Sequence, residues 1–141
     1  MAKIKEHTSP WIIILTHGDA GKELVKSAEM ILGKLKNVYT FSLLPNMSLN
    51  DFTNDIKNVL EKAPKDTLVF VDLFGGTPSN VAIALSRDYD ISIVSGLNIA
   101  MLIEADSLRE NGVCGKELAV AVANVGKEAC KEITTLFKNH A

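Results

Sequence analysis

Three segments of the chain carry residue types that can do chemistry. They are Thr16-His17-Gly18-Asp19, Asp72-Leu73-Phe74-Gly75-Gly76-Thr77-Pro78-Ser79-Asn80 and Ser95-Gly96-Leu97-Asn98. His17, Asp72 and Thr77 form a coherent set. A neutral imidazole has one nitrogen bearing hydrogen and one with a free lone pair. A carboxylate that accepts the hydrogen on Nδ1 fixes the tautomer and leaves Nε2 as the nucleophile. It also stabilises the positive charge that develops as Nε2 attacks. Backbone N–H groups in glycine turns and at helix N-termini favour an anionic group, and the Thr77 hydroxyl adds one hydrogen bond. Phosphoryl transfer to histidine asks for little more, because it depends chiefly on alignment and charge stabilisation.

Taken singly, each feature reads as structural. A histidine after a strand is commonly incidental, and a polar residue at a strand end is commonly a cap. Gly75-Gly76-Thr77-Pro78 alone is a turn and a helix start. His7 and His140 sit near the chain ends and read as solvated surface residues. The weight lies in three features falling on one edge of one sheet. Competing signatures fail. Gly18-Asp19-Ala20-Gly21-Lys22 is too short for a phosphate loop, and no GxGxxG, GxSxG or HExxH is present. No cluster suggests a metal, and no cofactor is expected. Thr77 as a hydrolase nucleophile would need a base in direct contact.

The elements that must position these residues follow from hydrophobic pattern. Trp11–Leu15, Val38–Leu43, Thr67–Leu73 and Ile91–Val94 are short apolar runs that predict strands. Leu24, Ala28, Ile31 and Leu35 keep helix spacing, as do Leu49, Phe52, Ile56, Val59 and Ala63 after a cap at Ser48. Thr77-Pro78 reads as an N-cap followed by proline at the first helical position, opening a helix to about Arg87. Asn98 caps a helix to about Arg109, and residues 116–138 keep helix spacing to the end. Ile133–Phe137 fits a short strand equally well. The rhythm implies an α/β fold: an open, mainly parallel four-stranded sheet with helices on both faces. Ligands of such sheets sit beyond the carboxyl ends of the strands. Strands one and three are expected to be neighbours, which would bring His17 to Asp72.

The length of 141 residues suits one domain, read as residues 11–141 behind a flexible tail of residues 1–10. A net charge of −2 without a basic block argues against nucleic acid as a partner. No apolar run approaches the roughly 20 residues of a membrane span, and the start lacks the apolar stretch of a signal peptide. Cys114 and Cys130 have no motif partner, so a cytoplasmic address is expected.

Thr16-His17-Gly18, the Asp72–Asn80 segment, Ser95–Asn98 followed by Met101-Leu102, and Ser27–Gly33 together resemble the IIA domain of the mannose–fructose–sorbose phosphotransferase family. The resemblance covers about residues 11–138, and Asp72–Asn80 is its most specific part. It implies that His17 is the phosphorylated histidine, taking phosphate from the histidine-containing phosphocarrier protein and giving it to a IIB protein. Asp72 matches the supporting aspartate, and Thr77 stands where the family has a Ser or Thr near the phosphate. Gly18, Gly75, Gly76 and Asn98 are expected beside Thr77 around the phosphate. Family members are usually homodimers, and some exchange a C-terminal strand, for which Ile133–Phe137 is suitably placed. Contact with the membrane would be indirect, through the transporter complex. Ala100 replaces a common Pro, and Phe74 a common Trp. With the sequence ending at Ala141, a stand-alone IIA with a separate IIB chain is expected. An apolar rim around His17 should include Phe74, with Leu97 and Met101. Two alternatives remain open: a phosphocarrier subunit of a dihydroxyacetone kinase, and a regulatory or binding module of the same fold.

Overall fold

A strand covered on both faces needs apolar residues at every position, because consecutive side chains point to opposite sides. Ile12-Ile13-Ile14-Leu15 is such a run, and all four side chains are fully buried in the computed structural model, which describes residues 9–138. They belong to β1 (Ile12–His17), followed by α1 (Ala20–Leu32), β2 (Val38–Leu43), α2 (Leu49–Leu60) and β3 (Thr67–Val71). Then come α3 (Thr77–Leu85), β4 (Ile91–Val94), α4 (Ile99–Glu110), α5 (Gly115–Ala129) and α6 (Ile133–Lys138). The strands form one four-stranded sheet in the order β2-β1-β3-β4. Every pairing is parallel, so the α/β expectation holds.

The period of two divides the apolar strands between two cores. Ile12, Ile14, Leu68 and Phe70 pack with Ala28 of α1, Leu102 and Ala105 of α4, and Leu118 and Val122 of α5. Ile13, Leu15, Val69 and Val71 pack with Phe52 and Ile56 of α2 and Val81 and Leu85 of α3. Helices therefore cover both faces. Each fully buried Ile or Leu contributes about 1.5–3 kcal/mol relative to exposure, so the central strands β1 and β3 are the rigid frame from which the site projects.

Local signals set most helix starts. Ser48 caps α2, its hydroxyl accepting from the Asp51 N–H, and Asn98 caps α4. The start of α3 differs from expectation by one residue: Gly76 is the N-cap and Thr77 is already helical. Proline is tolerated throughout the first turn, so Pro78 did not fix that boundary. The expected helix over 116–138 is broken after Ala129, where Cys130 adopts an extended backbone. Beyond it, Ile133–Phe137 is helical rather than a strand, and Glu132 Oε2 accepts from the Thr135 N–H at 2.9 Å to cap that turn. No side chain of α6 is buried.

His7, His140 and most of the expected tail lie outside the described residues. Ser9 and Pro10 do not behave as tail. The Ser9 hydroxyl donates to the Arg109 carbonyl at 3.0 Å, and the Pro10 carbonyl accepts from Arg109 Nη1 at 3.0 Å. Arg109 itself is fully buried. Its Nη2 also donates to the Lys36 carbonyl and to Asp106 Oδ1, the latter reached by Nε as well. One side chain thus ties the end of α4 to the chain entering β1 and β2.

Candidate functional site

Parallel register puts the carboxyl ends of β1 and β3 side by side. Leu15 pairs with Val71, so the next residues of the two strands emerge together. Asp72 reaches across to His17. Its Oδ2 accepts from the His17 backbone N–H at 2.9 Å and lies 2.9 Å from Nδ1 of the ring. One carboxylate oxygen therefore holds both the main chain and the imidazole. Its other oxygen, Oδ1, is buried and has no hydrogen-bond partner among the described residues. Partial burial pushes the Asp72 carboxyl up, but hydrogen bonds from the His17 backbone and ring, with the charge of the ring, outweigh it and leave Asp72 below the usual carboxylate range. The His17 side chain is 49% exposed, and Nε2 has no hydrogen-bond partner among the described residues.

The turn that carries His17 is fastened from beneath. The buried Thr16 hydroxyl donates to the Gly18 carbonyl at 2.9 Å and accepts from the Gly21 N–H at 3.0 Å. Gly18 has φ +59, a left-handed conformation that glycine adopts without strain. The Gly18 N–H donates to the carbonyl of Leu43, the residue paired with His17 at the end of β2. Behind the imidazole stands the start of α3. Gly76 caps that helix with no side chain, so its first-turn N–H groups are free of side-chain caps. Thr77 is exposed and shares with His17 and Gly18 a cleft of about 550 Å³. Gly75, at φ +88, lets the chain turn from β3 into α3. The structure brings His17, Asp72, Gly18, Gly76 and Thr77 together, with Gly75 in the connecting turn.

Asn98 has a different occupation. Its Oδ1 accepts from the Met101 N–H at 2.9 Å, so its acceptor and the first-turn donor of α4 satisfy each other. The apolar rim also differs in part. Phe74 is 78% exposed, as expected, and Leu73 beside it is exposed too. Met101 is buried, because it faces α5 where Gly126 leaves room for its thioether. Leu97 is half-buried against the same core. The other wall of the cleft comes from residues not foreseen: Leu43, Leu44, Pro45, Met47 and Leu49. The strand-end rule that pointed to the loops after β1, β3 and β4 applies equally to β2, and would have found them.

The family model described as PTS system fructose IIA component (EIIA-man) matches residues 11–125. The PTS system mannose-specific EIIAB component of Escherichia coli (strain K12) is 32% identical over 125 residues. That match covers 86% of this chain and 39% of the relative, so the chain spans about two fifths of its length. The PTS system fructose-specific EIIA component of Bacillus subtilis (strain 168) is 31% identical over 103 residues, covering 71% of this chain and 70% of that one. Among solved structures, phosphotransferase system component EIIA from Streptococcus agalactiae superposes with a TM-score of 0.83 at 34% identity, covering 89% of this chain and 98% of that chain. The chain belongs to the mannose–fructose–sorbose family of phosphotransferase-system IIA components. Among the described residues, no helix is long and apolar enough to cross a membrane.

Proposed function

We propose that His17 accepts a phosphoryl group on Nε2 from a histidine-containing phosphocarrier protein and passes it to a IIB protein in the course of sugar uptake. The observation that carries this reading is the grip of Asp72 Oδ2 on Nδ1 and on the His17 main chain, with the ring half-exposed and Nε2 unpartnered among the described residues. The phosphorus–nitrogen bond on Nε2 forms as the bond to the donor breaks, and the proton on Nδ1 stays shared with Asp72 throughout. The carboxylate offsets the charge of the ring, while the uncapped start of α3, the turns at Gly18 and Gly75 and the Thr77 hydroxyl face the anionic group. The exposed side chains of Leu73, Phe74, Leu44 and Leu49 favour brief docking of two successive partners around the same mouth.

The working unit is a cytoplasmic homodimer in this reading. The dimer is supported by an apolar groove between β4 and α5, lined by Ile93, Val94, Val120 and Ala123, together with exposed Ile133, Leu136 and Phe137 on α6.

Incubation with phosphoenolpyruvate, enzyme I and the phosphocarrier protein should add one acid-labile, alkali-stable phosphate to the intact mass. His17→Ala should abolish the adduct, whereas His7→Ala and His140→Ala should retain it. An unmodified mass, under conditions that phosphorylate another IIA protein, would remove the relay. Gly75-Gly76-Thr77-Pro78 favours the sugar-uptake branch over a dihydroxyacetone kinase subunit. Adding IIB proteins separates relay from a regulatory module, which would hold its phosphate.

A further inference from the structure

Gly76 is an unusual cap. Its backbone, at φ −84 and ψ 174, is one that any residue adopts, and a Ser, Asp or Asn there would accept a first-turn N–H of α3. Ser48 and Asn98 do this for α2 and α4. Conformation therefore does not explain the glycine, but space does. A Cβ built on Gly76 would lie 2.8 Å from Cε1 of His17 and 3.4 Å from its Nε2. Gly75 is the reverse case, with φ +88 and nothing within 4 Å of a built Cβ.

We propose that Gly76 is a positioning residue for His17, its missing side chain forming the seat against which the imidazole rests while Asp72 holds Nδ1. The ring is pinned from two sides. Asp72 fixes the Nδ1 edge, and the bare Cα of Gly76 backs the Cε1 edge. A methyl group at Gly76 would push the ring off the seat or, if the ring stayed, crowd the atom that must bond phosphorus. The obstructing atoms belong to a half-exposed side chain tip, so the ring can yield towards solvent while the fold remains. At the α3 start, helix capping and histidine placement therefore compete, and the native residue favours placement.

This inference rests on His17 as the phosphoryl acceptor, and one arm of its test does not need phosphate. Gly76→Ala and Gly76→Ser should fold with a midpoint temperature equal to or above that of the wild type. Alanine restricts the unfolded chain, and serine adds a cap. In both variants the rate of phosphate acceptance should fall by about 100-fold, the scale of a reacting group displaced by about 1 Å. ¹⁵N NMR of the imidazole should show the Nδ1–H signature of the Asp72 hydrogen bond weakened or lost. A residue that only served the helix would move stability and activity in the same direction and leave the imidazole spectrum unchanged. Wild-type imidazole signals in both variants would overturn the proposal, as would wild-type transfer rates. Loss of folding in both would also overturn it, because the clash would then not be relieved by the ring. If the wild type takes no phosphate, the proposed function fails, and the NMR arm still decides whether Gly76 seats the ring.

Discussion

The two ends of the sheet each hold a nitrogen base beside an aspartate, and the two pairs behave in opposite ways. At the amino ends of β1 and β2, Arg109 is fully buried and lies 2.8 Å from Asp106. Its donors reach the Pro10 and Lys36 carbonyls as well as that carboxylate. At the carboxyl ends of β1 and β3, His17 lies 2.9 Å from Asp72 but stays half-exposed. There Nε2 and the buried Asp72 Oδ1 have no partner among the described residues. Similar distances thus serve a tie in one place and a reactive group in the other. What separates them is saturation. A polar group whose bonds are all made in the native state stabilises the fold, whereas one with unused valence in an open cleft can bind and react.

Breaking the saturated pair should give the largest change in stability. Arg109→Met should lower unfolding free energy by about 3 kcal/mol, because the buried Pro10 carbonyl and the part-buried Lys36 carbonyl and Asp106 carboxylate all lose their donor, and a buried acceptor left bare costs of order 1–3 kcal/mol. Urea denaturation measures this. The remaining folded protein should accept phosphate at the native rate, and a slowed rate would show that the two ends are coupled.

The opposite pattern is expected of Asp72→Asn. Phosphate acceptance should slow by roughly 100-fold or more, because an amide mis-sets the ring tautomer and supplies no charge. Rapid-quench labelling would read the loss, and an unchanged rate would remove Asp72 from the mechanism.

A smaller effect, visible only on titration, sharpens the contrast. Asp72 is held below its ordinary value chiefly by the hydrogen bonds from His17, so those bonds to the carboxylate add stability that is fully present above the unfolded carboxylate pKa of about 4. That stability is lost as pH falls through the lowered native value. The stability difference between wild type and Asp72→Asn should therefore be constant near neutrality and shrink in acid. A difference that does not change with pH would mean that the interaction with His17 leaves Asp72 unperturbed.

Legibility in the sequence followed the range of each interaction. His17 and Asp72 were readable because reactive residue types stand immediately after apolar runs. Ser48 and Asn98 were readable as caps because a cap acts within its own first turn. Arg109 left no such signal. Two of its acceptors are backbone carbonyls 99 and 73 residues away, which any residue type supplies. Met101 was misplaced at the rim because its burial depends on Gly126 of another helix. Ile133–Phe137 carries residues that suit a strand, and it is the local cap from Glu132 that accompanies the helical turn.

By itself, the sequence determined the alternation of strands and helices, the two sides of the core and which reactive residues stand near the carboxyl ends of β1 and β3, although the expected strand ends at Leu15 and Leu73 are each two residues from the observed His17 and Val71. These depend on period and on neighbours within a turn or two. Only the tertiary structure decided that one oxygen of Asp72 holds both the main-chain N–H and Nδ1 of His17, that Arg109 ties α4 to the starts of β1 and β2, and that the bare face of Gly76 meets the ring. Contacts of this kind join residues far apart in the chain, and their geometry is fixed by strand order and register, which local pattern does not encode.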